Sequence, residues 1–262
     1  MRIASIGSGS EGNGTLIEVG DTCVLVDCGF SAREAERRLV AKGINPAKLS
    51  GILVTHEHAD HVKGVALLAN RFQIPVYITW GSYTSNIMQK REVDRQLLNI
   101  ISPHEMFSVG GLKVEPVPVP HDAREPNQFV IYGGGFKLGI LSDTGCITPH
   151  MERAYAACDA LLLECNHDLE MLRNGPYPQS LKRRVAGQYG HLNNDQAADL
   201  LSKVEHEALQ HIVITHISQK NNHPELALGA LNRAVRYSED KIVLADQNEG
   251  FDWLALQICE IA

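Results

Sequence analysis

The sequence has no long apolar run: none approaches the roughly 18 residues that a membrane-spanning helix requires, so we expect no membrane association. Residues 1–14 contain no apolar segment like that of a signal peptide, so we expect a cytoplasmic protein. Cysteines are few and form no CxxC pair, and we expect all six to be reduced: Cys23, Cys28, Cys146, Cys158, Cys165 and Cys259.

Basic charge is also scarce. The 24 Lys and Arg residues face 31 Asp and Glu residues, which gives a formal net charge of −7. This balance excludes a protein that binds DNA through a wholly basic surface, although a local basic groove stays compatible with it. The GxxxxGK[ST] pattern of a P-loop is absent too, as are fixed-period repeats and low-complexity tracts.

What the sequence does contain is typical of one sizeable folded unit. Its 262 residues are 44% hydrophobic and 21% charged, which predicts a single domain over residues 1–262. Strand patterns at 15–19 and 22–26 flank a hairpin turn, and helical patterns cover 62–72, 82–92 and 177–188. Strands that alternate with helices in this way predict a layered α/β fold.

The clearest chemical signal is the histidine- and aspartate-rich segment 55–61, which follows an apolar strand and precedes a helix. Two histidines two residues apart in extended chain point to one side, and the next Asp and His can face a second point nearby. Imidazole suits zinc, iron or manganese, and carboxylate tolerates harder ions. We therefore predict a metal site here rather than a surface polar cluster, with four ligands: His56, His58, Asp60 and His61.

This HxHxDH segment resembles the metal-binding motif of the metallo-β-lactamase superfamily. That family adds an Asp after an early strand, a His after a later strand, an acidic or Cys ligand, and a final His at a strand end. This sequence supplies them in the same order, as Asp27, His121, Asp143 and His216. The resemblance covers most of the chain and implies an αββα sandwich with two divalent ions at the strand ends along one edge.

The resemblance implies a role for each of these residues. His56, His58 and His121 match the ligands of one ion, and Asp60, His61 and His216 match those of the other. Asp143 would bridge the two ions, and Asp27 would orient the metal-binding loop. Taken singly, His121 is equally compatible with a turn and His216 with a capped strand end.

Three further stretches resemble the YycJ/WalJ-type exonuclease family within this superfamily. They are the SGSEGN opening at 8–13, the LLLECNHD segment at 161–168 with GHLNN at 190–194, and the HIS segment at 216–218 with NNHPEL at 221–226. One departure is Asn193, where the family pattern has Ser. The resemblance implies hydrolysis of DNA in the 5′→3′ direction.

A non-ligand histidine is the expected acid of that chemistry. In nuclease branches a His in a Gly-His context contacts the scissile phosphate or protonates the leaving oxygen, and His191 matches it. We expect His191, Asp60 and Asp143 to form the catalytic group. The alternative for His191 is a cap on the following helix. Glu164 either orients His191 and lines the metal cleft or is a plain strand-end carboxylate.

Substrate contacts are predicted at two places. No Asp or Glu occurs between Met171 and Asn194, and this basic strip contains Arg173, Lys182, Arg183 and Arg184. The alternative is an ordinary solvated helix face. The Gly-rich loop at 7–14, with Ser8, Ser10 and Asn13, either offers backbone N–H groups to a terminal phosphate or is a flexible hairpin loop.

The sequence therefore predicts a phosphodiesterase, most specifically an exonuclease on a DNA end or single strand. Two zinc, manganese or iron ions would share the hydroxide that attacks phosphorus. Two alternatives stay open: a hydrolase of lactones, thioesters or β-lactams, and a regulatory domain without catalysis. Residue patterns do not distinguish DNA from RNA, choose among the metals or give the oligomeric state.

Overall fold

The structure is a computed structural model, and it describes residues 1–237 and 241–258. Cys259 therefore lies outside the described residues, and the other five cysteines are free thiols. Within the described ranges, no helix is long and apolar enough to cross a membrane. The single-domain prediction extends over residues 1–262 and stays a prediction.

Two mixed seven-stranded sheets form the centre of the fold. The first sheet has, in spatial order, β14 Phe251–Ala255, β1 Arg2–Gly7, β2 Gly14–Val19, β3 Thr22–Val26, β4 Gly51–Leu53, β5 Val76–Thr79 and β6 Leu98–Ile101. The second sheet has β13 Ile242–Leu244, β12 His211–Thr215, β11 Ala160–Glu164, β10 Phe136–Leu141, β9 Asn127–Gly133, β8 Leu112–Pro118 and β7 Phe107–Val109.

Helices connect the strands. They are α1 Ala32–Ala41, α2 Ala59–Val62, α3 Val65–Phe72, α4 Trp80–Tyr83, α5 Asn86–Gln89, α6 Pro149–Tyr155, α7 Leu169–Asn174, α8 Gln179–Val185, α9 Asn194–Val204 and α10 Pro224–Ala234. Ser31 caps α1 by accepting a hydrogen bond from the Glu34 backbone N–H, and Asn193 caps α9 in a full capping box with Gln196. Both caps stabilise the first turn of their helix.

Alternating side chains divide the core into three layers. In β2, Leu16 packs toward α1 and α3, whereas the next residue, Ile17, packs between the two sheets. In β11, Leu162 meets the first sheet while Leu161 and Leu163 pack toward α6, α9 and α10. Because both faces are buried at the centre of each sheet, central strands such as β3 and β11 are almost wholly apolar. The predicted αββα sandwich is confirmed.

Three helix predictions were wrong in extent. The pattern at 62–72 is interrupted after α2, because the Gly64 backbone turns in to donate to the Cys28 carbonyl, and a Cβ there would lie 2.4 Å from the Phe30 oxygen. The pattern at 82–92 divides into α4 and α5, since Ser85 starts a new helix as its N-cap. The pattern at 177–188 shortens to α8. Four short elements carried no recognised pattern: β6, β7, α6 and α7.

Candidate metal centre

The predicted ligands follow the ends of strands that point to one edge of the sandwich. In the first sheet β3 and β4 are parallel, and Asp27 and the segment 55–61 come just after them. In the second sheet β10, β11 and β12 are parallel, and Asp143, Glu164 and His216 stand at their carboxyl ends. Ligand sites in α/β folds form at this edge because the loops after such strands meet there.

Three imidazoles form one ligand group, made of His56, His58 and His121, whose ligand atoms lie within 4.8 Å of one another. Nδ1 of His58 lies 3.2 Å from Nε2 of His121. The other ring nitrogen of His121 lies 3.0 Å from the Gly190 carbonyl oxygen, to which it donates. That hydrogen bond leaves Nε2 of His121 facing the group.

Asp60, His61 and His216 form a second group within the same distance limit of 4.8 Å. Oδ2 of Asp60 lies 3.5 Å from Nε2 of His61 and 3.7 Å from Nε2 of His216. These separations are too long for hydrogen bonds and are compatible with three donor atoms that surround one cation.

Asp143 lies between the two groups. Its Oδ2 is 3.1 Å from Nε2 of His61, and its Oδ1 is 3.1 Å from Nδ1 of His216. It also shares a possible ligand set with His56 and His61. Asp143 and His216 adopt left-handed backbone angles, with φ values of 52° and 53°. Such conformations are uncommon for residues with a side chain, and they aim both groups inward.

Several donor atoms of these groups have no protein partner. His56 Nε2, Asp143 Oδ2 and His216 Nδ1 are buried and make no hydrogen bond in the described part of the protein. An unpaired buried polar atom costs about 1–3 kcal/mol. Nitrogen and carboxylate oxygen donors that converge without partners are the set that zinc, manganese or iron binds. The residues therefore fit a divalent metal ion.

Burial and charge set the protonation of these side chains. Burial lowers the pKa of His56 and of His121, which keeps both imidazoles neutral. Burial also opposes charge on His61 and His216, but the surrounding carboxylates, Asp143 foremost, together outweigh it and raise the pKa of each. In return, these two imidazoles hold the pKa of Asp143 well below its usual range, against the effect of burial. The carboxylate is therefore available as a ligand at neutral pH.

Asp27 holds the metal-binding segment 55–61 in place through hydrogen bonds. Its Oδ1 accepts the Thr55 backbone N–H at 2.9 Å, and its Oδ2 accepts the Thr55 hydroxyl at 2.8 Å. The same Oδ2 lies 2.7 Å from Nδ1 of His61. Asp27 is 3% exposed and contacts the loop rather than the centre itself, as expected of a residue that orients ligands.

His191 and Glu164 form a pair beside Asp143. Nδ1 of His191 lies 2.7 Å from Oε1 of Glu164 and 3.4 Å from Oδ1 of Asp143. Burial opposes protonation of His191, but the Glu164 carboxylate outweighs it and raises the pKa of the imidazole. Glu164 is fully buried, and its Oε2 accepts the backbone N–H groups of Thr144 and Leu192. The helix-cap alternative for His191 was wrong, because Asn193 caps α9.

A cavity of about 290 Å³ opens over these residues. It is lined by Ser10, His58, Ala59, Asp60, Asp143, Asn166, Tyr177, Arg184, Val185, His191, His216 and Ser218. Of the four basic residues of the predicted strip, only Arg184 lines it, and its guanidinium bonds the Asp122 carboxylate. Lys182 donates to the Arg173 carbonyl instead, and Arg173 and Arg183 are exposed outside the cavity lining. The cavity lining thus supports Arg184 alone, and substrate contacts of Arg173, Lys182 and Arg183 stay predictions.

The Gly-rich loop is held by hydrogen bonds within the protein. The N–H groups of Ser8, Gly9, Glu11 and Gly12 all donate there, so these four are not available to a phosphate, and a contact through the Ser10 N–H stays a prediction. Asn13 is 9% exposed, and its amide lies 3.1 Å from Nε2 of His61. The direct substrate contact expected of Asn13 is thus corrected to support of the metal-binding segment.

The two serines of that loop, Ser8 and Ser10, have different roles. Ser8 is 7% exposed, and its hydroxyl accepts the His216 backbone N–H at 2.9 Å, which fixes the last metal-binding loop. Ser10 is exposed and lines the cavity, where a substrate contact stays a prediction. The difference arises because the chain bends at Gly9, whose φ is 144°, and sequence alone does not show how that bend directs the two serines.

Two acidic residues were not singled out from the sequence. Glu57, between two ligand histidines, is 6% exposed and accepts the Ser82 hydroxyl and the Arg124 backbone N–H. Asp122 follows His121, and its carbonyl oxygen lies 3.3 Å from Nε2 of His58. Adjacency to predicted ligands was the available signal for both, because residues next to ligands often hold the loops in place.

Comparisons with known proteins agree with this geometry. The β-lactamase superfamily domain model matches residues 22–217. Exodeoxyribonuclease YycJ of Bacillus anthracis is 35% identical over 87% of this chain and 86% of its own length. Exodeoxyribonuclease WalJ of Streptococcus pneumoniae is 32% identical over 87% of this chain and 85% of its own length.

Among solved structures, the metallo-β-lactamase fold protein YhfI of Bacillus subtilis superposes with a TM-score of 0.75 at 16% identity, covering 97% of this chain and 99% of YhfI. At that identity the superposition shows the fold alone. The family model spans most of the chain, and the two exodeoxyribonucleases align along nearly all of it. With both sheets, the ordered motifs and the sequence matches in agreement, the chain belongs to the metallo-β-lactamase superfamily, in its YycJ/WalJ-type family.

Proposed function

We propose that this protein is a metal-dependent exodeoxyribonuclease that hydrolyses phosphodiester bonds at a DNA end or in single-stranded DNA, in the 5′→3′ direction. The observation that carries the proposal is the placement of His191 and Arg184 in one cavity with Asp60, Asp143 and His216. Phosphodiester cleavage needs a cation for the phosphoryl charge and an acid for the leaving oxygen. The names of the two relatives support DNA as the substrate.

The proposed centre holds two divalent ions, zinc or manganese or iron. One ion is assigned to His56, His58 and His121, the other to Asp60, His61 and His216, and Asp143 is assigned to both. Ions bound there would supply Lewis-acid stabilisation and a nucleophile at neutral pH. Asp27 and Asn13 keep the ligands in place through their contacts with His61.

His191 is assigned the proton transfer to the leaving oxygen. Its Nδ1 is held by Glu164, so Nε2 is the atom that faces the substrate. The Glu164 and Asp143 carboxylates raise the pKa of His191 against burial, which favours the protonated acid before cleavage.

Arg184 binds a phosphate oxygen of the strand, and Asp122 holds its guanidinium in place. Tyr177 offers a ring to a base, since aromatic side chains stack on unpaired bases.

The small-substrate alternative is less favoured, because an uncharged lactone or thioester offers no anionic group to Arg184; a β-lactam does carry a carboxylate and is therefore part of the substrate panel. A cytoplasmic location also stays a prediction.

A substrate panel tests the proposal. Protein loaded separately with zinc, manganese and iron is incubated with single-stranded and duplex DNA labelled at either end, with RNA of the same sequence, with bis(p-nitrophenyl) phosphate, and with a β-lactam and a thioester. We expect hydrolysis of bis(p-nitrophenyl) phosphate and early release of the 5′ label from DNA. Rapid acyl hydrolysis with intact DNA and intact bis(p-nitrophenyl) phosphate would reject the proposal.

A further inference from the structure

A second cavity, of about 350 Å³, adjoins the cavity of the metal centre. We call it the side cavity; Ser8, Ile217, Pro224, Leu244 and Asp246 are among the residues that line it. Ser218 lines both cavities. Ser8 lines the side cavity, and Ser10, two residues later in the chain, lines the metal-centre cavity. The two cavities are therefore adjacent, with Ser218 on their shared boundary.

The walls of the side cavity suit an uncharged, largely flat group. Ile217, Pro224, Leu244 and Ala245 give apolar surface, and the Gln219 amide adds hydrogen-bonding capacity. Among the described residues that line it there is no Lys or Arg; Asp246 is the one carboxylate, and His223 adds an imidazole. A phosphate group would meet the Asp246 carboxylate without a Lys or Arg to balance it, whereas a nucleobase presents apolar faces and hydrogen-bonding edges. Small-molecule sites typically combine these features in about 300–1,000 Å³.

The wall between the two cavities is fixed in place. The Ser8 N–H donates to the Asp246 carbonyl oxygen at 3.1 Å, while its hydroxyl accepts the His216 N–H. Oε1 of Gln247 accepts the Glu11 N–H at 3.1 Å, and a Cβ on Gly9 would lie 2.4 Å from that same oxygen. The side cavity is therefore preformed, and its position relative to the ligand His216 is set by these contacts.

We propose that the side cavity binds the base and sugar of the terminal nucleotide whose phosphodiester bond is cut at the metal centre. The inference rests on the proposed nuclease function and specifies its substrate: the protein recognises one nucleoside beyond the scissile phosphate. In 5′→3′ cleavage the scissile phosphate is attached to the 3′ oxygen of that terminal nucleoside. A nucleoside 3′-monophosphate is then a ligand in its own right, with its phosphate beside the metal-binding residues and Arg184 and its base between Ile217 and Leu244.

Binding measurements test this without relying on turnover. Metal-loaded protein is titrated in a calorimeter with thymidine 3′-monophosphate, with the base-free 1,2-dideoxyribose 3-phosphate and with inorganic phosphate. Because a bound base contributes apolar and stacking contacts, we expect the nucleotide to bind about tenfold or more tightly than the base-free sugar phosphate. Equal dissociation constants for these two ligands would overturn the inference.

A matched pair of variants locates the effect. Leu244→Trp fills the side cavity, and Leu226→Trp makes the same change on α10 outside the lining, at a similar exposure of 42% against 37%. The affinity ratio of the two ligands should fall to about one in Leu244→Trp and persist in Leu226→Trp. Both ligands bind through the metal centre, so the metal content of each variant is measured and the affinities are compared at equal metal content. A ratio that survives in Leu244→Trp would contradict the assignment.

The two proposals fail differently. DNA degradation combined with equal affinities would remove the side cavity from the substrate path and leave the nuclease in place. A tenfold preference for the nucleotide combined with intact DNA would keep the nucleotide site and reject the nuclease. The ratio measured on the unaltered protein decides the inference even where a tryptophan variant fails to fold.

Discussion

Oδ2 of Asp27 lies 2.7 Å from Nδ1 of His61, and this contact determines which imidazole nitrogen faces the metal centre. Nδ1 donates to the carboxylate, so Nε2 is the nitrogen that faces Asp60 and Asp143. The carboxylate also receives both donors of Thr55, one residue before the first ligand. One buried acid thereby orients both ends of the metal-binding segment.

Asp27→Asn should lower metal affinity by about 10–100-fold, because the charge that holds the His61 proton is lost. Asparagine suits the left-handed backbone at this position, where φ is 61°, so the fold should survive. Metal competition against a chelating dye measures the change, and Asp21→Asn in the exposed hairpin turn is the control. Unchanged affinity in Asp27→Asn would contradict this role.

Asp143→Ala should abolish hydrolysis and release metal, since the carboxylate lies within reach of ligands from both groups. Elemental analysis after dialysis gives the metal content per chain. Full retention of two ions would show that Asp143 is not the shared ligand.

His191→Ala should instead retain its metals and lose about 10²–10⁴-fold in rate, because only the proton donor is removed. The loss should be smaller for bis(p-nitrophenyl) phosphate, whose nitrophenolate leaves without a proton. His150→Ala, an exposed histidine on α6, is the matched control. Metal loss in His191→Ala would mean that this imidazole is a ligand.

Arg184→Ala should raise KM for DNA and reduce the salt dependence of binding by about one phosphate contact. Arg173→Ala removes the same side chain at an exposed site outside the cavity and should leave both quantities unchanged. Filter binding across a salt series provides the two slopes. Equal effects in the two variants would favour the broad basic strip over a single contact.

Gly29→Ala should destabilise the protein severely, because a Cβ there would lie 1.7 Å from the Asp60 carbonyl oxygen. Gly229→Ala on α10 has its nearest contact at 3.7 Å and should be neutral or stabilising by up to about 1 kcal/mol. Urea unfolding of both variants compares them. A stable Gly29→Ala protein would show that the metal-binding turn can shift away from β3.

Acid should weaken the metal-free protein through Glu164. Burial raises the pKa of this carboxyl, but His191 outweighs burial and holds it at about 2, against 4.5 in an unperturbed glutamate. A carboxyl with a lowered folded-state pKa adds stability above the unfolded value, and loses it as the pH falls toward the folded value. The free energy of unfolding should therefore drop between pH 4.5 and about 2, and drop less in Glu164→Gln.

The sequence was most informative where side-chain chemistry and strand ends coincide. His56 and His58 follow an apolar strand, and Asp143 and His216 each follow another, so their convergence at one edge was predictable. The burial of Asn13 was not, because it depends on how a Gly-rich loop packs against a segment 47 positions away. The interruption at Gly64 likewise comes from tertiary contact, which overrides local helical periodicity.

The metal-binding groups draw on both sheets: His56, His58 and His61 follow a strand of one, and His121, Asp143 and His216 follow strands of the other. An ion shared between them would link the two sheets. Such a link would form only after His216 has been synthesised, 160 positions after His56. The nascent chain would lack the full set of ligands until then.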